Sequence, residues 1–292
     1  MRPISLWRKL VRIFRPEVKE DPAPKLEGTT EDPSASEPTV VGVGLDLDIC
    51  LQTDLGVVRR NNEDRCAYRR PKDPAVAAAK GTLVIVADGM GGASAGEVAS
   101  EMAIRIVPET YYRSPKPPAL ALKEAVEYAS SEIYRTAQSN PALRGMGTTC
   151  VAMVVILPEV FVAYVGDSRL YLLRDGKLYQ LTEDHTVVFE MVRKGLLTRE
   201  QARHHEDRNV LSLSMGGRAE IAASYWENPM AARAGDRFLL CSDGLHDLGE
   251  AELQTIMAGS PARRAVPRLI EAARRKGGHD NITAALVHVF VP

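Results

Sequence analysis

Short apolar runs and two-faced helical segments alternate along the chain from about residue 41 onward. Strand-like runs occupy residues 41–53, 65–68, 83–87, 147–157, 160–165 and 236–241, and a last strand ends near Val291. A hairpin is predicted over residues 169–181, turning at Asp175-Gly176. Apolar residues at helical spacing predict helices over residues 96–112, 118–138, 187–194, 250–258 and 262–275. These elements fit one α/β or α+β domain of about 250 residues, with a meander in its middle.

The first 40 residues have a different composition. In residues 1–16 every charged side chain is basic, and basic and apolar residues occupy opposite halves of a helical wheel, the pattern of an interfacial helix. This stretch is too short and too often interrupted by charge for a spanning helix or a secretory signal. Docking on a membrane, on a partner or on the protein's own body, or fraying in solution, all remain open. Residues 17–40 are rich in Pro, Ser and acids and predict a flexible linker before a folded domain at 41–292.

The net charge and the cysteine spacing of the chain argue against some classes of protein. The formal net charge is -1 and the sequence pI is about 6.6, so the chain lacks the overall basic field typical of nucleic-acid binders, and no nucleic-acid partner is expected. Its cysteines lie far apart and form no C-x-x-C pair, which favours reduced thiols in a cytosolic protein over a disulfide frame or zinc site. We therefore expect a cytoplasmic protein, with residues 1–16 as a candidate contact to the inner face of the membrane.

The most informative stretch begins where the apolar run 83–87 ends. Asp88 is expected where this strand leaves the core, and the glycines that follow allow a tight turn. A carboxylate at Asp88 beside the bare carbonyl of Gly89 suits a hard cation such as Mg²⁺ or Mn²⁺. A P-loop is excluded because Gly-Lys-Ser/Thr is missing, and a dinucleotide fingerprint matches poorly because Ser94 stands at its third glycine. An ordinary strand-to-helix turn with a solvated acid remains the alternative at this point.

Similar acids recur later in the sequence. Three more aspartates lie at a strand end or in a tight loop with a glycine within two residues: Asp167, Asp243 and Asp280. One such acid is unremarkable, whereas four of them indicate a shared cation site.

A second polar cluster precedes the glycine loop. Arg59 offers a planar fork that matches phosphate, and Glu63 and Asp64 offer carboxylates that act on a metal directly or through water. Taken alone, the cluster is equally compatible with a solvated turn.

Six motifs then follow one another in a recognisable order. They are Arg59-x-x-x-Glu63-Asp64, Ala87-Asp88-Gly89-Met90-Gly91-Gly92, Gly147-Thr148-Thr149, Gly166-Asp167-Ser168-Arg169, Ser242-Asp243-Gly244 and Asp280-Asn281-x-Thr283. Over residues 41–291 the chain resembles the metal-dependent protein serine/threonine phosphatases of type 2C. Met90 stands where animal members carry His, which makes the resemblance closest to the bacterial form.

The resemblance implies both a fold and a metal site. The expected fold is α+β, a β-sandwich of two antiparallel sheets flanked by helix pairs. By the family pattern Asp88 bridges two Mn²⁺ or Mg²⁺ ions, the Gly89 carbonyl binds one of them, and Asp243 and Asp280 bind the other. Asp167 joins Asp243 at a weaker third ion. The pattern also assigns roles outside the metal shell: Glu63 and Asp64 hold metal-bound waters, and Arg59 grips the substrate phosphate.

The implied reaction is hydrolysis of phosphoserine and phosphothreonine on proteins, opposing a serine/threonine kinase. Water activated by two metal ions attacks phosphorus directly, and a metal-bound water is expected to protonate the leaving oxygen because Met90 cannot. An irregular segment at residues 182–217 is expected to form a flap over the site. The alternative function is a non-catalytic phosphopeptide-binding or partner-binding module on the same fold.

Overall fold

Two antiparallel sheets form the centre of the structure, a computed structural model that describes residues 44–91 and 95–292. The interpretations of residues 1–16 and 17–40 concern residues outside those ranges. The strands are β1 (Asp46–Asp54), β2 (Asp64–Arg69), β3 (Thr82–Met90), β4 (Gly147–Thr148), β5 (Cys150–Ile156), β6 (Glu159–Val165), β7 (Arg169–Arg174), β8 (Lys177–Gln180), β9 (Ser224–Tyr225), β10 (Met230–Ala231), β11 (Arg237–Cys241) and β12 (Ile282–Phe290).

The strand order places distant parts of the chain side by side. One sheet runs β1-β12-β11-β7-β8, and the other runs β10-β6-β5-β3-β2 with β4 added to β3 and β9 added to β6. The paired strands of both sheets are antiparallel. The predicted β7–β8 hairpin turns at Asp175 and Gly176, both with positive φ (50° and 71°), as a tight two-residue turn requires.

Helices cover the outer faces of the two sheets. They are α1 (Pro74–Lys80), α2 (Ala95–Arg113), α3 (Pro118–Ser139), α4 (Val187–Arg193), α5 (Arg199–Arg203), α6 (Glu250–Met257) and α7 (Ala262–Arg275), with short 3-10 turns at Pro141–Leu143 and Asp243–Leu245. Helices α2 and α3 pack on the sheet that contains β3, and α6 and α7 pack on the sheet that contains β12. None of the described helices is long and apolar enough to cross a bilayer.

Alternating side chains of the central strands fill three buried layers. In β3, Leu83 and Ile85 face α2 and α3, whereas Val84 and Val86 face the other sheet. Since successive side chains of a strand point to opposite faces, a strand buried on both sides reads as a continuous apolar run. The resulting order of layers is helix, sheet, sheet, helix, and the predicted α+β sandwich flanked by helix pairs is confirmed.

Several element boundaries differ from the prediction. Strand β1 begins at Asp46 among the described residues, and the run predicted over 147–157 is divided at Thr149 into β4 and β5. Asp88 lies inside β3, which continues to Met90, rather than at the end of the strand. Helices α1 and α5 have no counterpart in the prediction.

Candidate metal and phosphate site

Asp88 lies in strand β3, and hydrogen bonds with two threonines hold its main chain in place. The strand continues past Asp88 because Met90 and its neighbour pair with β4, and Asp88 itself lies opposite Asp64 of β2. The Asp88 amide donates to Thr149 Oγ1 at 3.0 Å, and Thr148 Oγ1 donates to the Asp88 carbonyl at 2.8 Å. Two threonines of the same sheet therefore fix the backbone that carries this carboxylate.

Gly89 allows helix α2 to cross β3 at close range. A Cβ atom on Gly89 would lie 2.2 Å from the Gly96 carbonyl oxygen and 2.5 Å from that of Glu63. The Gly89 amide donates to the Glu63 carbonyl at 3.2 Å, and Ser100 Oγ of α2 donates to the same oxygen at 2.5 Å. Any residue larger than glycine at this position would push α2 or the Glu63 loop away from the acids.

Asp64 and Ser242 join the two sheets at the site, directly beside Asp243. Ser242, at the end of β11, donates from Oγ to Asp64 Oδ2 at 2.7 Å, and Ser242 Oγ accepts from the Thr283 amide at 3.0 Å. The second carboxylate oxygen of Asp64, Oδ1, is buried, and so is Oδ1 of Asp243. Neither atom accepts a hydrogen bond from the described residues. Leaving a buried carboxylate oxygen without a partner costs free energy, so these two atoms are suited to a cation.

Arg59 and Asp280 form an ion pair at the edge of the same cluster. Arg59 Nη2 donates to Asp280 Oδ2 at 2.5 Å, and both side chains are partly exposed. The hydrogen bond to Asp280 raises the pKa of Arg59, and the charges of Asp280, Asp243 and Asp88 add to the effect. The guanidinium group thus faces the carboxylates while remaining open to solvent.

Asn281 ties the loop between β1 and β2 to the loop that carries Asp280. Its Oδ1 accepts from the Glu63 amide at 2.8 Å, and its Nδ2 donates to the carbonyls of Leu55 and Asn61 at 3.0 Å. Burial is the main cause that raises the pKa of the Glu63 carboxyl, and Arg59 opposes the shift. One amide side chain therefore positions the segment that contains the predicted phosphate contact and both predicted water-holding acids.

Asp167 lies in a turn that the segment 182–217 helps to hold. Gly166 has φ of +99°, and a Cβ there would lie 2.6 Å from Thr149 Cγ2. The Gly166 amide donates to His185 Nδ1 at 3.0 Å, and His185 Nε2 lies 3.0 Å from Ser224 Oγ. Burial lowers the pKa of His185, which favours the neutral imidazole that this acceptor role requires.

The acids in this cluster oppose one another's ionisation. Burial, followed by the charges of Asp64, Asp243, Asp167 and Asp280, raises the pKa of Asp88 well above its usual value. Burial, followed by the charges of Asp167, Asp280 and Asp64, raises the pKa of Asp243 to about 8. The pKa values of Asp64 and Asp167 rise to about 6, again mainly through burial. Without a cation, these acids therefore keep protons at pH values where an isolated aspartate is ionised.

These residues fit a hard divalent cation that keeps part of its water shell. Within residues 44–91 and 95–292, no three His, Cys, Asp or Glu side chains converge into a complete protein shell for one ion. Mg²⁺ usually keeps several waters and takes only one or two carboxylates, and Mn²⁺ likewise suits oxygen ligands, so a sparse set of acids is what such ions use. The unpartnered oxygens of Asp64 and Asp243 and the mutual repulsion of the acids agree with that chemistry.

Both ends of the segment 182–217 are fixed beside the acid-bearing strands. At one end the His185 amide donates to the Gly166 carbonyl at 3.0 Å. At the other end Met215 and Thr148 exchange two backbone hydrogen bonds of 2.9 and 3.1 Å. The segment therefore starts next to the turn of Asp167 and finishes next to the threonine that supports Asp88. Its role as a cover for the site stays a prediction.

The structure brings most of the predicted site residues together. Asp64, Asp88, Asp167, Asp243 and Asp280 influence one another electrostatically, and Arg59 and Glu63 face the same cluster. Sequence reasoning did not assign a role to the residues that hold these acids in place: Thr148, Thr149, Ser242 and Asn281. Ser242 and Asn281 each stand directly beside an aspartate, which is a signal visible in the sequence, whereas Thr148 and Thr149 have no acid beside them.

Comparison with known proteins agrees with this geometry. Residues 58–287 match the family described as Protein phosphatase 2C. The chain is 37% identical over 247 residues to a serine/threonine phosphatase named stp from Listeria innocua, covering 81% of this chain and 94% of that protein. It is 39% identical over 250 residues to the serine/threonine protein phosphatase PstP of Mycobacterium tuberculosis, covering 85% of this chain and 46% of that longer protein.

Solved structures show the same similarity. The crystal structure of the catalytic domain of PstP in complex with two manganese ions superposes with a TM-score of 0.72 at 35% identity, covering 85% of this chain and all of that one. The phosphatase of Streptococcus agalactiae gives a TM-score of 0.74 at 31% identity, covering 83% of this chain and 99% of the other.

Proposed function

The chain belongs to the protein phosphatase 2C family, and we propose that its clustered carboxylates hold the metal ions on which this family's activity depends. The protein is a metal-dependent protein serine/threonine phosphatase, a hydrolase that acts on phosphoserine and phosphothreonine in proteins. Its cofactors are Mn²⁺ or Mg²⁺ ions. The assignment of individual residues to these ions and to the substrate is our proposal.

The proposed ligands are the side chains and the one carbonyl group that the sequence singled out: Asp88, Gly89, Asp243, Asp280 and Asp167. One observation supports this set most directly: carboxylates from both sheets raise one another's pKa, and Asp243 keeps a buried oxygen with no partner among the described residues. A buried cluster of like charges is unfavourable unless a cation neutralises it.

The remaining residues orient substrate and water. When bound, two such ions lower the pKa of a water and stabilise the negative charge that develops on the phosphoryl group. Arg59 binds the phosphoryl oxygens through its planar fork, which Asp280 holds at the edge of the cluster. Glu63 and Asp64 accept hydrogen bonds from water in the site and orient it. Met90 has no proton to give, so the departing serine or threonine oxygen takes its proton from water.

Hydrolysis of p-nitrophenyl phosphate and a phosphothreonine peptide, with and without Mn²⁺, tests the function. We expect turnover that depends on added metal. Arg59→Ala should raise KM for both substrates by about tenfold or more, because a charge-assisted phosphate contact contributes at least about 1.4 kcal/mol. Arg59→Lys keeps the charge without the fork and should restore binding only in part. If the wild-type protein bound the phosphopeptide without metal-stimulated turnover, a non-catalytic binding module would be the better description.

We further propose where the enzyme acts. Its substrates would be cytoplasmic phosphoproteins modified by an opposing serine/threonine kinase, and residues 1–16 would contact anionic lipid at the inner face of the membrane. The support is the separation of basic and apolar residues in that stretch, where each basic residue near such a surface contributes about 1 kcal/mol. Full-length protein should sediment with anionic vesicles at low salt, and protein lacking residues 1–16 should not. Equal sedimentation of the two would refute the membrane contact.

A further inference from the structure

The loop between β1 and β2 exposes three aliphatic side chains within four residues. Leu55, Val57 and Val58 are 40%, 60% and 61% exposed. The other exposed large apolar side chains of the described residues lie singly along the sequence. Single exposed apolar residues are normal on a protein surface, whereas a local group of them marks a place where another molecule binds.

Hydrogen bonds to the neighbouring loop fix these side chains in place. The amides of Val57 and Val58 donate to the Gly278 carbonyl at 2.8 and 3.4 Å, and the Leu55 carbonyl accepts from Asn281 Nδ2 at 3.0 Å. Gly56, with φ of +79°, lies so close to the second loop that a Cβ would be 2.1 Å from the Asp280 carbonyl oxygen. The valines are therefore held against the loop that carries Asp280. Because this segment is already ordered, a ligand that binds to it loses little free energy to ordering the protein.

The valines directly precede the residue proposed to bind phosphate. Arg59 follows Val58 in sequence, and its guanidinium group faces Asp280 and the other acids. In an extended peptide, consecutive residues are spaced by about 3.3–3.6 Å, so a side chain one or two residues from the phosphorylated position lies within about 7 Å of it. Because Val58 is joined directly to Arg59, we expect such a side chain to contact Val57 or Val58 when Arg59 holds the phosphate.

We propose that Val57 and Val58 form a substrate-binding surface that selects phosphoproteins with an aliphatic or aromatic side chain within two residues of the phosphorylated serine or threonine. This inference rests on the proposed function, in particular on phosphate binding by Arg59. It assigns substrate selection to the β1–β2 loop, whose valines take no part in metal or phosphate binding.

A pair of phosphothreonine peptides tests the proposal. The two peptides are identical except that leucine flanks phosphothreonine on both sides in one and serine does so in the other. The enzyme is the full chain, wild type or Val57→Thr/Val58→Thr, at one Mn²⁺ concentration. Threonine keeps the size and β-branched shape of valine but replaces a methyl group with a hydroxyl group. Val291→Thr is the matched control, since Val291 is 54% exposed and follows β12 at the end of the strand remote from Asp280.

The decisive quantity is the ratio of kcat/KM for the leucine peptide to that for the serine peptide. We expect a ratio of roughly five to ten in the wild type and in Val291→Thr, falling to roughly one to two in the double variant, as burial of aliphatic groups on an open surface implies. Equal rates for both peptides in the wild type, an unchanged ratio in the double variant, or an equal loss for both peptides would overturn the proposal. Failure of the wild type to hydrolyse either peptide would instead refute the proposed function.

Discussion

Asp88 and Asp243 lie on different sheets and are each followed by a glycine, but the two acids are held in different ways. Asp88 lies within β3, and the main chain around it is fixed by Thr148 and Thr149 of the same sheet. Asp243 begins a 3-10 turn just after β11, and one of its carboxylate oxygens has no partner among the described residues.

A metal site needs ligands in a fixed position and carboxylate oxygens that are free to bind the ion, and the two acids differ in which of these they provide. The backbone of Asp88 is rigid because strand pairing and two threonine contacts determine it. Asp243 instead offers an unsatisfied oxygen, and the serine before it reaches across to Asp64 on the other sheet. We infer that the first sheet supplies fixed geometry, whereas the second supplies a carboxylate with free coordination capacity and a link between the sheets.

The largest expected effect is on turnover. Asp88→Asn and Asp243→Asn should each lower Mn²⁺-dependent kcat/KM by at least about 10³-fold, because each removes a charge from the proposed metal centre. In EDTA, thermal unfolding of Asp243→Asn should occur at an equal or higher temperature than in the wild type, since a poorly compensated buried acid is gone. Asp247→Asn, an exposed acid of the same turn, is the control. More than a few per cent residual activity would remove the altered residue from the metal shell.

Replacing the glycine after each of the two aspartates with alanine tests how closely the backbone segments approach one another there. Gly89→Ala brings Cβ to within 2.5 Å of carbonyl oxygens on two different segments, whereas Gly244→Ala meets one, that of Asn281, at 2.0 Å. We expect losses of about 3 kcal/mol in unfolding free energy, with the larger loss at Gly89. Gly249→Ala has no atom within 4 Å of its Cβ and loses only the preference for glycine at the N-cap of α6, so it should lower the unfolding free energy by no more than about 1 kcal/mol. Denaturant unfolding of the three variants measures this order, and a neutral Gly89→Ala would contradict the tight crossing.

The smallest expected effect is a pH dependence of the metal-free protein. Folding raises the pKa of Asp64 and Asp167 to about 6 and that of Asp243 to about 8, so the folded state binds more protons than the unfolded state. The stability that these protons contribute is present below the unfolded pKa of about 4 and is lost as pH rises through these values. In EDTA the melting temperature should therefore fall by several degrees between pH 5 and pH 8. In Asp243→Asn the melting temperature should depend less on pH above pH 6. Adding Mn²⁺ should weaken the pH dependence of the wild-type melting temperature over the whole range. A melting temperature that rises with pH in EDTA would contradict the burial of these acids.

Local sequence signals predicted the long elements well. Helices α6 and α7 were predicted to within one residue of their ends, because apolar spacing and the flanking Gly249 and Pro261 give clear limits. Helix α1 escaped prediction although Asp73 caps it, since it buries no residue and so shows no apolar period. Helix α5 has a capping box at Thr198 but is only 5 residues long. The extension of β3 past Asp88 to Met90 depends on pairing with β4, about 60 residues later, which no local pattern reveals.

The acids of the site were easier to predict than the residues that position them. The four aspartates proposed as ligands each have a glycine within two residues, and this recurrence can be read directly from the sequence. Thr149, Ser242 and Asn281 act on partners 61, 178 and 218 residues away, so only the folded chain shows what they do. The ligand roles proposed for the acids stay predictions that the Asp88 and Asp243 variants address.

Asn281 also determines when the site can come into existence during protein synthesis. The segment around Leu55 and Glu63 cannot be fixed until Asn281, more than 200 residues later, has been synthesised. Strand β1 likewise has no neighbouring strand in its sheet until β12 has left the ribosome. Contacts of such long sequence separation form late, because closing a long loop comes before any gain from the contact. A partly synthesised chain thus carries Asp88 and Asp167 but neither Asp243 nor a fixed Arg59. Phosphatase activity therefore begins as a single late event rather than growing with the length of the nascent chain.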